Sequence, residues 1–415
     1  RGERLILAVP RYAGAAVRTI TPDHDAGPVY LAGFQANRPA TGVHDDLHVR
    51  ALALRVGEDT PPFLLAVCDL IGLLHADVKN IRQAAAEGGL DPTALVVTCT
   101  HVHSGPDTIG MWGRSRLRSG VDPDYVAYVQ CQVVDALAAA VRDVRPAHLC
   151  AGKTQMTAWL KNAREPGIVD REMSVLQALD EDNEPIFTLI NLACHPEVMF
   201  GENTQVTADY AGAACQALEA EAGGTAVFAS ADIGGMMTPD VAQGDRTFET
   251  VGRMGRDVAA TALSALAHAE PVAPAAARFI RREVRVPLDN PLFKRAISIG
   301  VLSRLGLDSD GCVVTEVSLL DLGPARLITV PGELLPEPGM HLRAALGVPY
   351  RFLIGLADDE LGYLLPSHAY IYPPNPLCPG DHYEETMSVS RYALPLLAEA
   401  WLALLADVEP EEGLP

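Results

Sequence analysis

The chain has 415 residues, 48% of them hydrophobic, and its 32 basic residues against 53 acidic ones leave a net charge of −21. A core of that size suits one large α/β domain as well as two or three smaller ones. The charge repels phosphate backbones and anionic lipid surfaces, which argues against nucleic acid and membrane surfaces as partners. No apolar run reaches the roughly 18 residues of a transmembrane helix.

In chain order, apolar runs of strand length alternate with helical patterns. Strands are predicted over 51–56 ("ALALRV") and 63–70 ("FLLAVCDL"), then a helix over 77–88 and a strand over 94–100 ("ALVVTCT"). A long helix over 124–144 leads to a strand over 147–156. The strands 174–180 and 186–194 are joined as a hairpin by the turn "DEDNEP". Helices over 210–222 and 249–269 flank a strand over 225–232. The strands 311–322 and 325–330 meet through "LGP", and a strand over 351–357 and a helix over 396–408 close the series. This alternation predicts an α/β fold: a large mixed β-sheet core flanked by helices. The eight cysteines include no CxxC pair and mostly lie in apolar stretches, as expected of buried thiols in a reduced protein. That points to a cytoplasmic setting; a chain that starts at Arg1 without methionine also suits a secreted or periplasmic protein whose leader was removed.

Polar residues able to bind metal or move protons follow the strands. His101 and His103, in "CTHVHSGPDT", come after 94–100, and His195 after 186–194. Thr238 follows 225–232, Glu333 follows 325–330, and Tyr363 follows 351–357. Ligands of α/β proteins gather beyond the carboxyl ends of strands, so these loops are expected to share one pocket with its active site there. In an extended segment residues i and i+2 face the same side, so His101 and His103 can meet one metal or one substrate. Zinc accepts imidazole and carboxylate and keeps a position open for water. Taken singly, each residue has a plainer reading: strand-end histidines bonded to loop carbonyls, a loop acid, a packing tyrosine. No GxSxG, HExxH, phosphate loop or helix-opening GxGxxG competes. "HDDLHVR" (44–50) and "DHD" (23–25) are read as solvated or supporting groups, and Asp209 as a helix N-cap. In "ELLPEPGMH", Glu333, Glu337 and His341 have helical spacing, but two prolines argue against a helical metal site.

The set resembles the neutral ceramidases, zinc enzymes that hydrolyse the amide of ceramide, a sphingolipid. "TCTHVHSGPD" is similar to the family's "THTHSGP", and "NAREP" to its Asn/Arg/Pro loop. "INLACHPEVM" resembles its second zinc-histidine strand, "SADIGGMMTPD" its "GNxSPN" loop, and "VPGE" its "PGE". "GLADDELGYLLP" and "DHYEETMS" resemble its "GLxNxYxxYxTT" and "QxYEGxST" segments. The motifs run in order from 18–22 ("RTITP") to 381–388.

The resemblance implies one catalytic domain over 1–415 and zinc ligands at His101, His195, Glu333 and Tyr363. It places His103, Arg164 and Tyr383 against the scissile amide and its oxyanion, with Thr238 where the family has serine. It further implies a small-molecule or lipid-like N-acyl substrate. Two differences stand out: the extra methyl of Thr238, and a proline-rich segment over 368–381 longer than the family's. The chain ends in "EPEEGLP", with no room expected for the family's C-terminal immunoglobulin-like domain. An esterase or lactonase on the same zinc site, and a metal-binding protein without catalysis, are the competing readings. Iron, manganese or cobalt would also suit mixed histidine and carboxylate ligands.

Overall fold

The strand Phe63–Cys68 shows how the core is divided. Phe63, Leu65 and Val67 face one apolar cluster and Leu64, Ala66 and Cys68 another, so every side chain is buried without an alternating sequence. The computed structural model of the chain describes residues 11–23, 27–370 and 383–408. Three sheets meet at the first of these clusters. One has the strand order Leu95–Cys99, Phe63–Cys68, His48–Val56, Arg11–Thr19, Arg145–Pro146. The second runs Thr225–Ser230, Pro185–Leu192, Glu172–Leu179, His148–Gln155, Glu270–Val272, and the third Arg278–Pro287, Cys312–Asp321, Ala325–Thr329, Tyr350–Ile354. Leu65 of the first, Leu176 and Leu189 of the second, and Leu327 and Phe352 of the third share that central layer.

Helices cover the outward faces. Val78 and Ile81 of His75–Glu87, with Val129 and Val133 of Pro123–Arg142, seal the first sheet. The second sheet is covered by Asp209–Ala222 and Phe248–Leu266, and the third by Ala393–Val408 through Leu397, Trp401 and Leu404. Each sheet pairs its strands both ways, so the expected mixed α/β core is present. Each predicted strand and helix is also found. Both hairpins form; in the first, the Asp180 carboxylate accepts from the amides of Asp182 and Glu184.

Among the longer elements, two strands and two helices had no signal strong enough to name. Arg11–Thr19 is made of small residues, yet it pairs antiparallel with His48–Val56 along its length. Arg278–Pro287 alternates charged and apolar residues at the edge of the third sheet. Pro291–Ser298 and Pro336–Ala345 are helices that begin on proline. In the second, the prolines that argued against a helix sit in its first turn, where no amide hydrogen bond is lost. Glu337 and His341 therefore ride on this helix, whereas Glu333 belongs to the preceding short strand Glu333–Leu334.

Candidate metal centre

Each main sheet contains one parallel pair: Phe63–Cys68 with Leu95–Cys99, Pro185–Leu192 with Thr225–Ser230, and Ala325–Thr329 with Tyr350–Ile354. The carboxyl ends of these pairs are bolted together. Thr98 donates to the carbonyl of Gly355 at 2.6 Å, and Ser230 to that of Thr100 at 2.7 Å. The Asn191 amide donates to the carbonyls of Ala229 and Leu353 at 2.9 and 2.8 Å. Loops leaving five strands are thereby forced together, which is why residues far apart in sequence meet.

His101 does not continue its strand. Its φ of +66° turns the chain just past Cys99, so the two rings converge through a left-handed residue and not through an extended i, i+2 pair. Its Nδ1 donates to the Ile71 carbonyl at 2.6 Å, and the Nδ1 of His195 to the Met237 carbonyl at 2.9 Å. Those bonds fix both tautomers and aim both Nε2 atoms at Glu333, whose Oε2 lies 3.5 Å from His101 and 3.0 Å from His195. The rings of His101, His103 and His195 stand 5.0 to 5.3 Å apart. Glu333 is delivered by pairing of Glu333–Leu334 with Tyr363–Leu364, which sets it beside Tyr363. The Tyr363 hydroxyl donates to the Met236 sulfur at 3.3 Å, and its ring meets that of Tyr383 edge-on at 5.9 Å.

His101, His103, Glu333, Tyr363 and Tyr383 line one cleft, walled on its other side by Ile71, Leu74, Ile109, Trp112, Phe293 and Leu302. His195 lies wholly buried on Glu333 beneath it. Thr238 stands one layer back, its buried hydroxyl beside Glu197 without a well-formed hydrogen bond. Arg164 is absent from the cleft wall. Its guanidinium binds the carboxylates of Glu384 and Glu385 at 2.8 and 3.1 Å, on the short helix Tyr383–Thr386.

Several participants escaped the sequence reading. Glu197 is buried, 2.9 Å from Nδ1 of His103. An acid inside the apolar run "LACHPEVMF" needs a partner, and that was its signal. Glu360, in the segment "LADDELGY" whose acids suggest only loop hydrogen bonds or caps, lines the cleft with a buried Oε2 that makes no hydrogen bond and lies 4.0 Å from His101. Gly33, at φ +99°, leaves room for the His103 ring, which a Cβ there would meet at 2.4 Å. Arg38 donates to the carbonyls of Ala32 and His103. Asp209 is not an N-cap; its carboxylate accepts from the amides of Val198 and Met199, pinning the loop after His195. Of "DHD", residues 24 and 25 lie outside the described residues, as does most of 368–381; His44 stacks on Phe248 with its Nδ1 2.7 Å from Asp45.

Burial drives the His101 pKa down to about 3 against the pull of Glu333, with the other two imidazoles adding to the fall. His195 moves the other way, up to about 9: burial opposes its charge, but the Glu333 hydrogen bond and the charges of Glu197 and Glu333 win. Burial raises Glu197, yet His103 and His195 outweigh it and hold this carboxylate down to about 2. Glu360 is pushed well up by burial and then by the charge of Glu333. The pocket thus carries two buried carboxylates against one imidazolium, a deficit that a cation would balance. Nitrogens of the three histidines all fall within 4.8 Å of one another and can hold a metal ion. The donor separations at Glu333 bracket the roughly 3.3 Å between neighbouring tetrahedral zinc ligands. Neither ring nitrogen of His103 has a well-formed hydrogen bond. On these observations the residues fit a metal.

The fold is that of the neutral ceramidases. A crystal structure of neutral ceramidase from Pseudomonas aeruginosa matches with a TM-score of 0.78 at 18% identity, covering 98% of this chain and 76% of that one. A structure of ceramidase complexed with C2 matches at 0.79 and 17% identity, over 98% and 77% of the two chains. No protein-family model and no curated protein matches. Identity this low establishes shared architecture, and chemistry has to be argued from the site.

Proposed function

We propose that the protein is a zinc-dependent hydrolase of N-acyl amides with a ceramidase-like site. The observation that carries the reading is the pair of Nε2 atoms, each oriented by a backbone carbonyl, converging on one buried carboxylate at the end of an apolar cleft. His101, His195 and Glu333, with Tyr363 beside Glu333, would hold the metal. Zinc bound there supplies a Lewis acid that acidifies a water molecule and polarises an acyl carbonyl.

The remaining groups supply proton transfer and positioning. His103, backed by Glu197 at 2.9 Å, takes a proton from the attacking water and returns it to the leaving nitrogen. Its pKa is lowered by burial against the pull of Glu197, which favours the neutral, proton-accepting form. Tyr383, at the mouth of the cleft, donates its hydroxyl to the oxyanion that develops on the acyl oxygen. Arg164 acts through the ion pairs that hold the Tyr383 helix, and Thr238 supports Glu197 from behind. The apolar wall accepts a hydrocarbon acyl chain, which favours a lipid-like substrate over a polar one.

Metal content should be measured on purified protein alongside hydrolysis of paired N-acyl amides and esters, for the wild type and His101→Ala. Bound zinc and amide turnover lost together in the variant support the reading. Ester turnover alone moves it to an esterase, and zinc without any turnover to a binding protein.

A further inference from the structure

The net charge of −21 is not evenly spread. The segments 108–121 ("TIGMWGRSRLRSGV") and 290–307 ("NPLFKRAISIGVLSRLGL") contain no acidic residue. They come from distant parts of the chain but lie side by side: Gly110 packs against the Val301 carbonyl, where a Cβ would stand 2.5 Å away. Ile109 and Trp112 of one and Phe293 and Leu302 of the other line the same apolar wall of the cleft. Two to six residues on from Trp112, Arg114, Arg116 and Arg118 are exposed, and so are Lys294 and Arg295 directly after Phe293. Among the described residues none of these five cations enters an ion pair; the neighbouring Arg304, by contrast, is bound to Asp77. Between them project Leu117, 70% exposed, and Leu292, 49% exposed.

We infer that this collar docks the cleft mouth on an anionic lipid surface. Cations flanking protruding leucines match charged headgroups above a hydrocarbon layer, whereas an acidic protein or a nucleic acid gives the leucines nothing to enter. The global charge does not cancel the collar, because at physiological ionic strength charges beyond about 8 Å are screened. A lipid-like substrate would pass from the layer along the apolar wall; that step rests on the N-acyl hydrolase reading, whereas the docking does not.

The full chain should be sedimented with vesicles of phosphatidylcholine alone and with about one-third phosphatidylglycerol. Expected is binding to the anionic vesicles only, weakened by salt. The triple reversal Arg114→Glu, Arg116→Glu, Arg118→Glu should reduce it by about a hundredfold or more, and Leu117→Asp by less. An unchanged circular dichroism melt shows that the variants are folded. Hydrolysis of a soluble short-chain N-acyl amide should be unaffected in the triple variant while that of a vesicle-embedded one falls. Wild type that ignores anionic vesicles, or binding that survives the reversal, overturns the inference. Vesicle binding without amide turnover by the wild type would sink the hydrolase reading and leave the docking standing.

Discussion

The floor and the rim of the cleft are held in different ways. On the floor, His101 and His195 are oriented by backbone carbonyls and share Glu333, at the junction where the parallel pairs of three sheets are bonded together. At the rim, Tyr383 is 40% exposed and sits on a helix of four residues held largely by side chains: Arg164 pairs with Glu384 and Glu385, and the Asn290 side chain donates to the Thr386 carbonyl. Backbone-anchored groups cannot be shifted without moving a sheet, whereas a side-chain substitution at the rim removes part of its support. A binding centre needs the first kind of support, and a group that must let substrate in and product out can use the second.

The sharpest way to break this contrast is at the floor. His195→Ala removes the ring that bridges Met237 and Glu333, and bound metal and amide turnover should disappear together. In the wild type, zinc at about a hundredfold excess over its Kd should add about 2.7 kcal/mol of stability, read as a rise in melting temperature. The variant should show none. Zinc bound as tightly after the substitution would mean that the converging nitrogens are not the centre.

His103 comes next, because its nitrogens lie within reach of the metal position while its Nδ1 is turned to Glu197. His103→Ala should lower kcat by about a hundredfold or more with metal content retained, as for a proton-transfer group. Loss of metal in that variant would instead assign the centre to three histidines. Glu197→Gln should cost less, roughly tenfold to a hundredfold, since it only orients and polarises the ring.

Much of the floor was legible in the sequence and much of the rim was not. His101, His195, Glu333 and Tyr363 each follow a strongly apolar strand, so position alone nominated them. Glu197 carried a local signal, a lone acid in an apolar run, but its partner and that of Glu360 come from other strands, which no local pattern displays. The strand Arg11–Thr19 was missed because its alanines and glycine carry little hydrophobic signal, and its existence depends on the partner strand. Arg164 was nominated by motif for the oxyanion; which carboxylates would claim its guanidinium depends on a helix more than two hundred residues downstream.

Arg164→Ala tests that rim. If the residue acts through the Tyr383 helix, kcat should fall by about tenfold, the scale of a small misplacement, with KM raised and metal unchanged. Tyr383→Phe in the same background should then add little, because both changes act on one group. Full additivity would return Arg164 to direct contact with the reacting amide.

The smallest expected effect on turnover comes from a carboxyl outside the cleft lining. Asp359 is buried, accepts from the amides of His75 and Glu360, and has its pKa pushed up from the ordinary 3.8 to about 7, burial outweighing both hydrogen bonds. An acid raised in the folded state keeps its proton there while the unfolded chain releases it. Between those two pH values this carboxyl therefore makes stability fall as pH rises, by up to roughly 1.4 kcal/mol per pH unit, and above pH 7 the loss levels off. Asp359→Asn retains the accepting oxygen and removes the titration. Its denaturant midpoints should match the wild type near pH 4 and exceed it near pH 8, with turnover little changed because Asp359 does not line the cleft. A parallel pH dependence in the two proteins would mean that this carboxyl is ionised in the fold, and a neighbouring cation would then have to be found for it.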